Sequence, residues 1–225
     1  MSSTDLNFSV GKRFGDFAEP RGGLTTGNND YFLRQWFEVS YININFTVYN
    51  NNISLKNKLT WVPIDKGGPY RKWYGNYDFI INWKNDGEEV KLEAKEKWKS
   101  YTRTIKNIPY YFKEALSFPK ITSGGFSSRY REPGSIHESA GNEAFSSNHD
   151  ILIYLIGLTN TKLADYIFSI LNPTINLQTG DLQNFPVLYE DSIAIMDNIA
   201  LNIQICKEDW DSTELSWNFK SNVLL

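Results

Sequence analysis

Between Tyr41 and Tyr49 apolar and polar residues alternate, with Ile42, Ile44, Phe46 and Val48 on one side. A period of two predicts a half-buried strand, ended by the three asparagines at 50–52. Shorter apolar stretches at 59–65 (LTWVPID) and 77–83 (YDFIINW) predict two more strands, the second closed by a KNDG turn at 84–87. Residues 31–39 (YFLRQWFEV) are amphipathic and suit a strand or a short helix. The charged run 88–106 predicts an exposed helix laced with i,i+4 pairs, and 117–130 predicts a strand, a glycine turn and a second strand. From residue 150 the spacing turns helical. Residues 150–171 predict one long helix or two, split at the Gly-Leu-Thr-Asn of 157–160 and ended by Pro173. Residues 193–206 place Ile193, Met196, Ile199, Ile203 and Cys206 on one helical face. Strands come first and helices second, which predicts an α+β fold: a strand-rich mixed sheet with helices packed against it. The reading is one domain over 1–225, with a strand-rich part at 20–149 and a mainly helical supporting part at 150–225.

Composition supports a real core, since 41% of the 225 residues are hydrophobic and 15% aromatic. The opening MSSTDLNFSV has no apolar stretch and no run of 18 apolar residues follows, so neither a signal peptide nor a membrane span is expected. One cysteine, Cys206, excludes an internal disulfide and a cysteine-based zinc site, and fits a cytoplasmic protein. The net charge of -3 hides an uneven distribution. Residues 95–131 hold nine cations against two acids, whereas 181–214 hold eight acids against Lys207 alone. Such asymmetry can mark a polyanion-facing side, although a charged run is more often a solvated face.

Candidate chemistry is sparse. His137 and His149 are expected in exposed loops and lack metal-ligand spacing. No GxSxG nucleophile elbow or phosphate-cradling GxxxxGK[ST] is present. Glu93 and Lys95 imitate a metal-dependent nuclease tripeptide but fall in the predicted helix rather than on a strand. Asn107-Ile108-Pro109-Tyr110 resembles the Asn-Pro-Pro-Tyr loop of adenine-N6 methyltransferases without its first proline, and no glycine-rich cofactor loop precedes it. It reads as a structural turn, and no catalytic residue or metal site is assigned.

Four stretches carry a resemblance: GLTTGNNDYFLRQWFEV (23–39), WVPIDKGGPYRKWYGNYDFIINWKNDG (61–87), YYFKEALSFPKITSGGFSSRY (110–130) and ILNPTINLQTGDLQNFPV (170–187). In this order they resemble the C-terminal target-recognition region of PglX-like adenine-specific DNA methyltransferases of BREX phage-defence systems and of related type IIG restriction-modification enzymes. EDWDSTELSWNF (208–219) is similar to the same family. The helical stretch from Gly157 followed by LQNFP also resembles the end of recognition domains in type I specificity subunits. The resemblance implies a sequence-specific DNA recognition module without the catalytic lobe. S-adenosylmethionine is then expected in a separate N-terminal methyltransferase domain or subunit, and no cofactor in this chain. Implied partners are double-stranded DNA, that methyltransferase domain, and further defence-system proteins, with no membrane.

Under that reading three turns face DNA. Lys66, Arg71 and Lys72 would meet phosphate or guanine, with Gly67 and Gly68 allowing close backbone approach. Trp73 and Tyr74 are expected to anchor this loop in the core. Thr26, Asn28 and Asn29 form a second turn, whose bland alternative is a cap for the segment at Tyr31. Ser123, Gly124, Gly125, Ser127, Ser128 and Arg129 form a third, with the cation at its edge. The alternative is a protein-interaction module that docks other defence subunits, or a stand-alone decoy of the recognition lobe.

Overall fold

A computed structural model describes residues 11–46, 60–121, 125–172, 174 and 176–221. Its strands are β1 (Lys12–Arg13), β2 (Glu19–Arg21), β3 (Leu33–Gln35), β4 (Trp61–Asp65), β5 (Phe79–Asn82), β6 (Ala115–Pro119), β7 (Arg129–Arg131), β8 (Ile136–His137), β9 (Gly141–Phe145) and β10 (Pro186–Val187). The helices are α1 (Asn29–Phe32), α2 (Lys84–Trp98), α3 (His149–Thr159), α4 (Lys162–Leu171), α5 (Thr179–Gln183) and α6 (Ile193–Asp211). One antiparallel sheet has the order β2-β9-β6-β7 and a second the order β3-β5-β4-β8, with β4 and β8 parallel; β1 and β10 form a small ribbon. The fold is α+β, with strands concentrated before residue 149 and helices after it.

Each sheet has its own apolar core. Leu116, Phe118 and Ala144 of the first sheet pack with α3, α4 and α6 through Leu152, Ile156, Phe168 and Ile199. Val62, Ile64 and Ile81 of the second pack with Val90 and Ala94 of α2 and with Phe112. Helix α3 is apolar on nearly all sides, and every residue from Leu152 to Gly157 is buried, so it is the central rod of the first core. Asn148 caps its start by accepting from the Ile151 N–H at 3.2 Å. Gly157 lets α6 come close, since a Cβ there would stand 2.2 Å from Ile199 Cδ1. Chain direction then turns by 80° into α4, where Thr161 accepts from the Ala164 N–H as the new cap. Among the described residues no single helix is long and apolar enough to cross a membrane.

The fold departs from several expectations of the sequence. Tyr41–Asn43 is a 3-10 turn, not a strand; Ile42 is 79% exposed and Ile44 only 5%. A strand needs a partner along its length, and in the described part of this segment the pairing is confined to a bridge between Ile44 and Trp61, with the Asn45 N–H donating to Trp61 O at 2.8 Å. Val48 and the asparagines at 50–52 lie outside the described residues. Residues 31–39 divide among α1, β3 and a 3-10 turn at Trp36–Glu38. The charged helix ends at Trp98 rather than 106, because Lys99 adopts left-handed backbone (φ 66°) and a 3-10 turn follows at Tyr101–Arg103. At its start Asn85, Asp86 and Gly87 are left-handed, as the expected KNDG turn requires. Strands β6 and β7 pair antiparallel as the segment 117–130 predicted, though Ser123 and Gly124 lie outside the described residues. Pro173 lies outside them too. Ile193 is 80% exposed and does not join Ile199 and Ile203 in the core.

Candidate nucleic-acid interface

The loop from Lys66 to Asn76 joins β4 to β5 along an improbable path. Gly67, Gly68 and Gly75 have φ of 80°, 94° and 121°, and Trp73 and Asn76 have 70° and 59°. A bulky residue in the left-handed region costs about 1–2 kcal/mol, so its neighbours must hold it there. The Trp73 N–H donates to Ser128 O and Trp73 O accepts from the Tyr130 N–H, both at 2.8 Å. Asn76 Nδ2 donates to Gly67 O at 3.0 Å and Pro69 O at 2.9 Å. Arg129 reaches the loop from β7, donating to Gly67 O at 3.2 Å and Arg71 O at 3.4 Å. Tyr74 is buried and Trp73 packs against the core, so both anchor the loop.

The loop's cations are largely engaged. Arg71 pairs with Asp209 at 3.2 Å and lies over the Trp210 ring at 5.1 Å. Lys72 donates to Asn160 O at 2.8 Å and stands 3.6 Å from Asp165. Both therefore lean on α4, α6 and the α3–α4 corner. Lys66 Nζ sits 4.7 Å from the Phe79 ring centre and, with Gly67, Gly68, Asn76 and Asp78, lines a recess of about 220 Å³. The two glycines have structural reasons to be glycine. A Cβ at Gly67 would meet Ala140 O at 2.6 Å, and Gly68 holds φ at 94°.

The other turns divide. Asn28 is exposed and caps α1 by accepting from the Tyr31 N–H at 3.2 Å; Asn29 is half-buried and bonded to the buried Thr26. In the third turn the expectation is corrected for its last residues, while Gly125 is exposed. Ser127 and Arg129 are buried, with Arg129 running inward as a strut instead of standing at a loop edge. His137 is corrected as well: it is fully buried on β8, whereas His149 is exposed and 2.9 Å from Glu114. No group of three metal-ligating side chains occurs among the described residues. Lys95 is exposed on a helix, so the nuclease tripeptide has no strand beneath it. Asn107-Ile108-Pro109-Tyr110 is a turn, pinned by Asn107 Nδ2 donating to Gly22 O at 2.8 Å.

Between the two sheets lies a buried polar seam that sequence reading missed. Asp65 ends β4, opposite His137 in register, and accepts from the Gly67 N–H at 2.8 Å and from the Ser117 hydroxyl. Burial pushes its carboxyl up, but Arg131, Arg129 and these two bonds outweigh that and hold it below the usual carboxylate range. Arg129 also donates to Ser117 Oγ at 3.1 Å, and Arg131 stacks 3.7 Å from the Tyr77 ring centre. Glu143 has no hydrogen-bond partner for either oxygen among the described residues, and burial drives its carboxyl well up. Its neighbour His137, 3.5 Å away, is pushed down to about 4 by burial, with Asp65 opposing. A neutral acid beside a neutral imidazole avoids two buried charges. The signal available in sequence was the RYR of β7, whose two arginines alternate in phase around Tyr130.

Free positive charge lies elsewhere. From 97 to 113 the chain carries Lys97, Lys99, Arg103, Lys106 and Lys113 with no acid. All five are exposed, and among the described residues none makes a salt bridge. Arg103 and Lys97 flank the Trp98 ring at 4.4 and 5.7 Å.

No protein-family model matches the chain. It is 34% identical over 213 residues to the adenine-specific methyltransferase PglX of Lacticaseibacillus casei (strain Zhang), covering 95% of this chain and 18% of that protein. It is 36% identical over 207 residues to the adenine-specific methyltransferase BrxX of Escherichia coli O9:H4 (strain HS), covering 91% and 16%. The chain is homologous to a segment of these methyltransferases. It spans less than a fifth of the length of either. Both the sheet-forming and the helical parts described above fall within so extensive a match.

Proposed function

We propose that this chain is the DNA target-recognition part of an adenine-N6 DNA methyltransferase that serves restriction-modification or BREX-type phage defence, with the catalytic lobe and its S-adenosylmethionine elsewhere. The observation that carries this reading is the similarity of nearly the whole chain to a minor segment of two adenine-specific methyltransferases. An enzyme that flips one adenine out of a duplex needs a second surface to grip and read the flanking bases. The exposed candidates for that work are Gly68 and Asn28, with the half-buried Lys66, Asn29, Arg71 and Lys72 at the margin; Ser127 and Arg129 support from within.

Exchanging this segment for its counterpart in the L. casei enzyme tests the proposal, with methylated adenines mapped by sequencing. The expected result is methylation at a different target sequence. Retention of the original target by an active chimera would overturn the recognition role. A protein-docking role is favoured by one observation: α4 exposes Leu163, Tyr166 and Ile170 in a stripe. That reading gains if the chimera methylates unchanged but loses its association with partner subunits.

A further inference from the structure

Resting on the DNA-recognition reading, we infer that the chain grips the duplex backbone at the corner formed by Lys97, Trp98, Lys99 and Arg103, rather than at the glycine-rich turn of 66–76. Four observations meet there. The first is electrostatic: exposed cations run from 97 to 113 with no acid in the segment and no salt bridge among the described residues, whereas Arg71 and Lys72 are already paired with Asp209 and Asp165. A cation must give up its carboxylate before it can take a phosphate, and among the described residues those of the corner have none to give up.

The second is preorganisation. The Arg103 guanidinium lies 4.4 Å from the centre of the Trp98 ring, which is itself 38% exposed. Stacking restrains a long side chain and leaves its N–H donors directed outward, so less rotamer freedom remains to be lost on binding a phosphate. The third is a backbone cost. Lys99 ends α2 in the left-handed conformation, with its N–H donating to Lys95 O at 2.8 Å, a position where glycine fits without penalty. Lysine occupies it nonetheless, placing an ammonium at the corner.

The fourth is proximity to a base-reading candidate. The Thr25 N–H donates to Thr104 O at 2.9 Å and Asn107 Nδ2 holds Gly22 O, so the turn bearing the exposed Asn28 is laced to the cationic segment. Phosphate contacts fix register while amide side chains read base edges. The corner and the Asn28 turn supply one of each on neighbouring segments. Lys106, exposed between them, extends the cationic strip.

The test compares binding of a short adenine-containing duplex, by electrophoretic shift across a salt series, for three proteins: the parent chain; a corner variant carrying Lys97→Gln, Lys99→Gly and Arg103→Gln; and a control carrying Lys12→Gln, Lys162→Gln and Lys220→Gln. The two variants lose the same charge. If three phosphate contacts are lost, the corner variant binds roughly 100-fold more weakly near 0.1 M salt, and its plot of log K against log salt flattens by about 2–3 units. The control stays within about threefold of the parent. Lys99→Gly alone weakens binding without lowering the thermal midpoint, an outcome that structural damage does not produce. A corner variant that binds like the parent, or a control that falls as far, overturns this inference and leaves the recognition reading standing. A parent chain that binds no duplex at low salt overturns both. Polyglutamate competing as well as duplex at equal charge would assign the corner to an acidic protein instead.

Discussion

Replacing Arg129 with methionine removes a buried guanidinium while nearly keeping the volume of its stem. Three donations disappear: to Gly67 O, to Ser117 Oγ and to Arg71 O. Asp65, fully buried, is left with Arg131 as its remaining cation, although the Gly67 N–H and the Ser117 hydroxyl stay. Breaking a buried charge network by removing one partner costs about 3–5 kcal/mol, mostly as the penalty of the charge left behind. Against a total stability of about 5–15 kcal/mol, a loss of about 4 leaves the variant marginal. With a urea dependence of about 2 kcal/mol per molar, the unfolding midpoint drops by about 2 M. Asp65→Asn removes the stranded charge, so the double variant should cost at least about 1 kcal/mol less than the two single costs combined. The loop should also loosen, because two of its carbonyls lose their strut, and trypsin should cut sooner after Lys66 and Lys72. A midpoint shift below about 0.5 M, or strictly additive costs, would refute the strut and the shared charge together.

Two further predictions follow from the seam and the loop. Burial pushes His137 down from the usual 6.5 to about 4 in the folded protein, so the unfolded chain binds the extra proton as pH falls between those values. Its contribution to stability is therefore present above pH 6.5 and declines by roughly 3 kcal/mol toward pH 4. Glu143, raised when folded, opposes this trend by favouring the folded state as pH falls, and Asp65 holds its charge throughout. Urea unfolding from pH 7 to pH 4 should thus show the parent losing more stability than His137→Leu; parallel curves would remove His137 from the account. Gly67→Ala and Gly27→Ala impose the same backbone penalty, at φ of 80° and 79°, but only the first drives its Cβ against a backbone oxygen. Gly27→Ala should cost about 1 kcal/mol and Gly67→Ala about 2–3 kcal/mol, read by thermal or urea unfolding. Equal costs would mean that the approach to Ala140 is not tight.

The helices of the second half were legible because their signal is local. The apolar run of α3 and the Gly-Leu-Thr-Asn break act within a turn or two of chain. The α+β division, strands β4 and β5 and the β6–β7 hairpin were legible for the same reason, whereas the pairing of β4 with β5 came from the structure. At 41–46 the alternation misled, since a period of two reports a strand only where a partner lies alongside. The cations of the 66–76 loop looked available because no acid lies within that stretch. Asp165 and Asp209, more than 90 positions downstream, arrive only when α4 and α6 fold over the turn.

Arg129 shows the same division most sharply. Beside two serines it read as a surface cation, yet it lies at the join of two sheets, bonded to residues 62 and 58 positions away. Local sequence therefore decided which segments coil into helices, where they stop and how charge is distributed along the chain, since those depend on neighbours within a few residues. Which charges are buried, paired or free was decided by the packing of distant segments, because Coulomb energies and desolvation depend on distance in space and not along the chain.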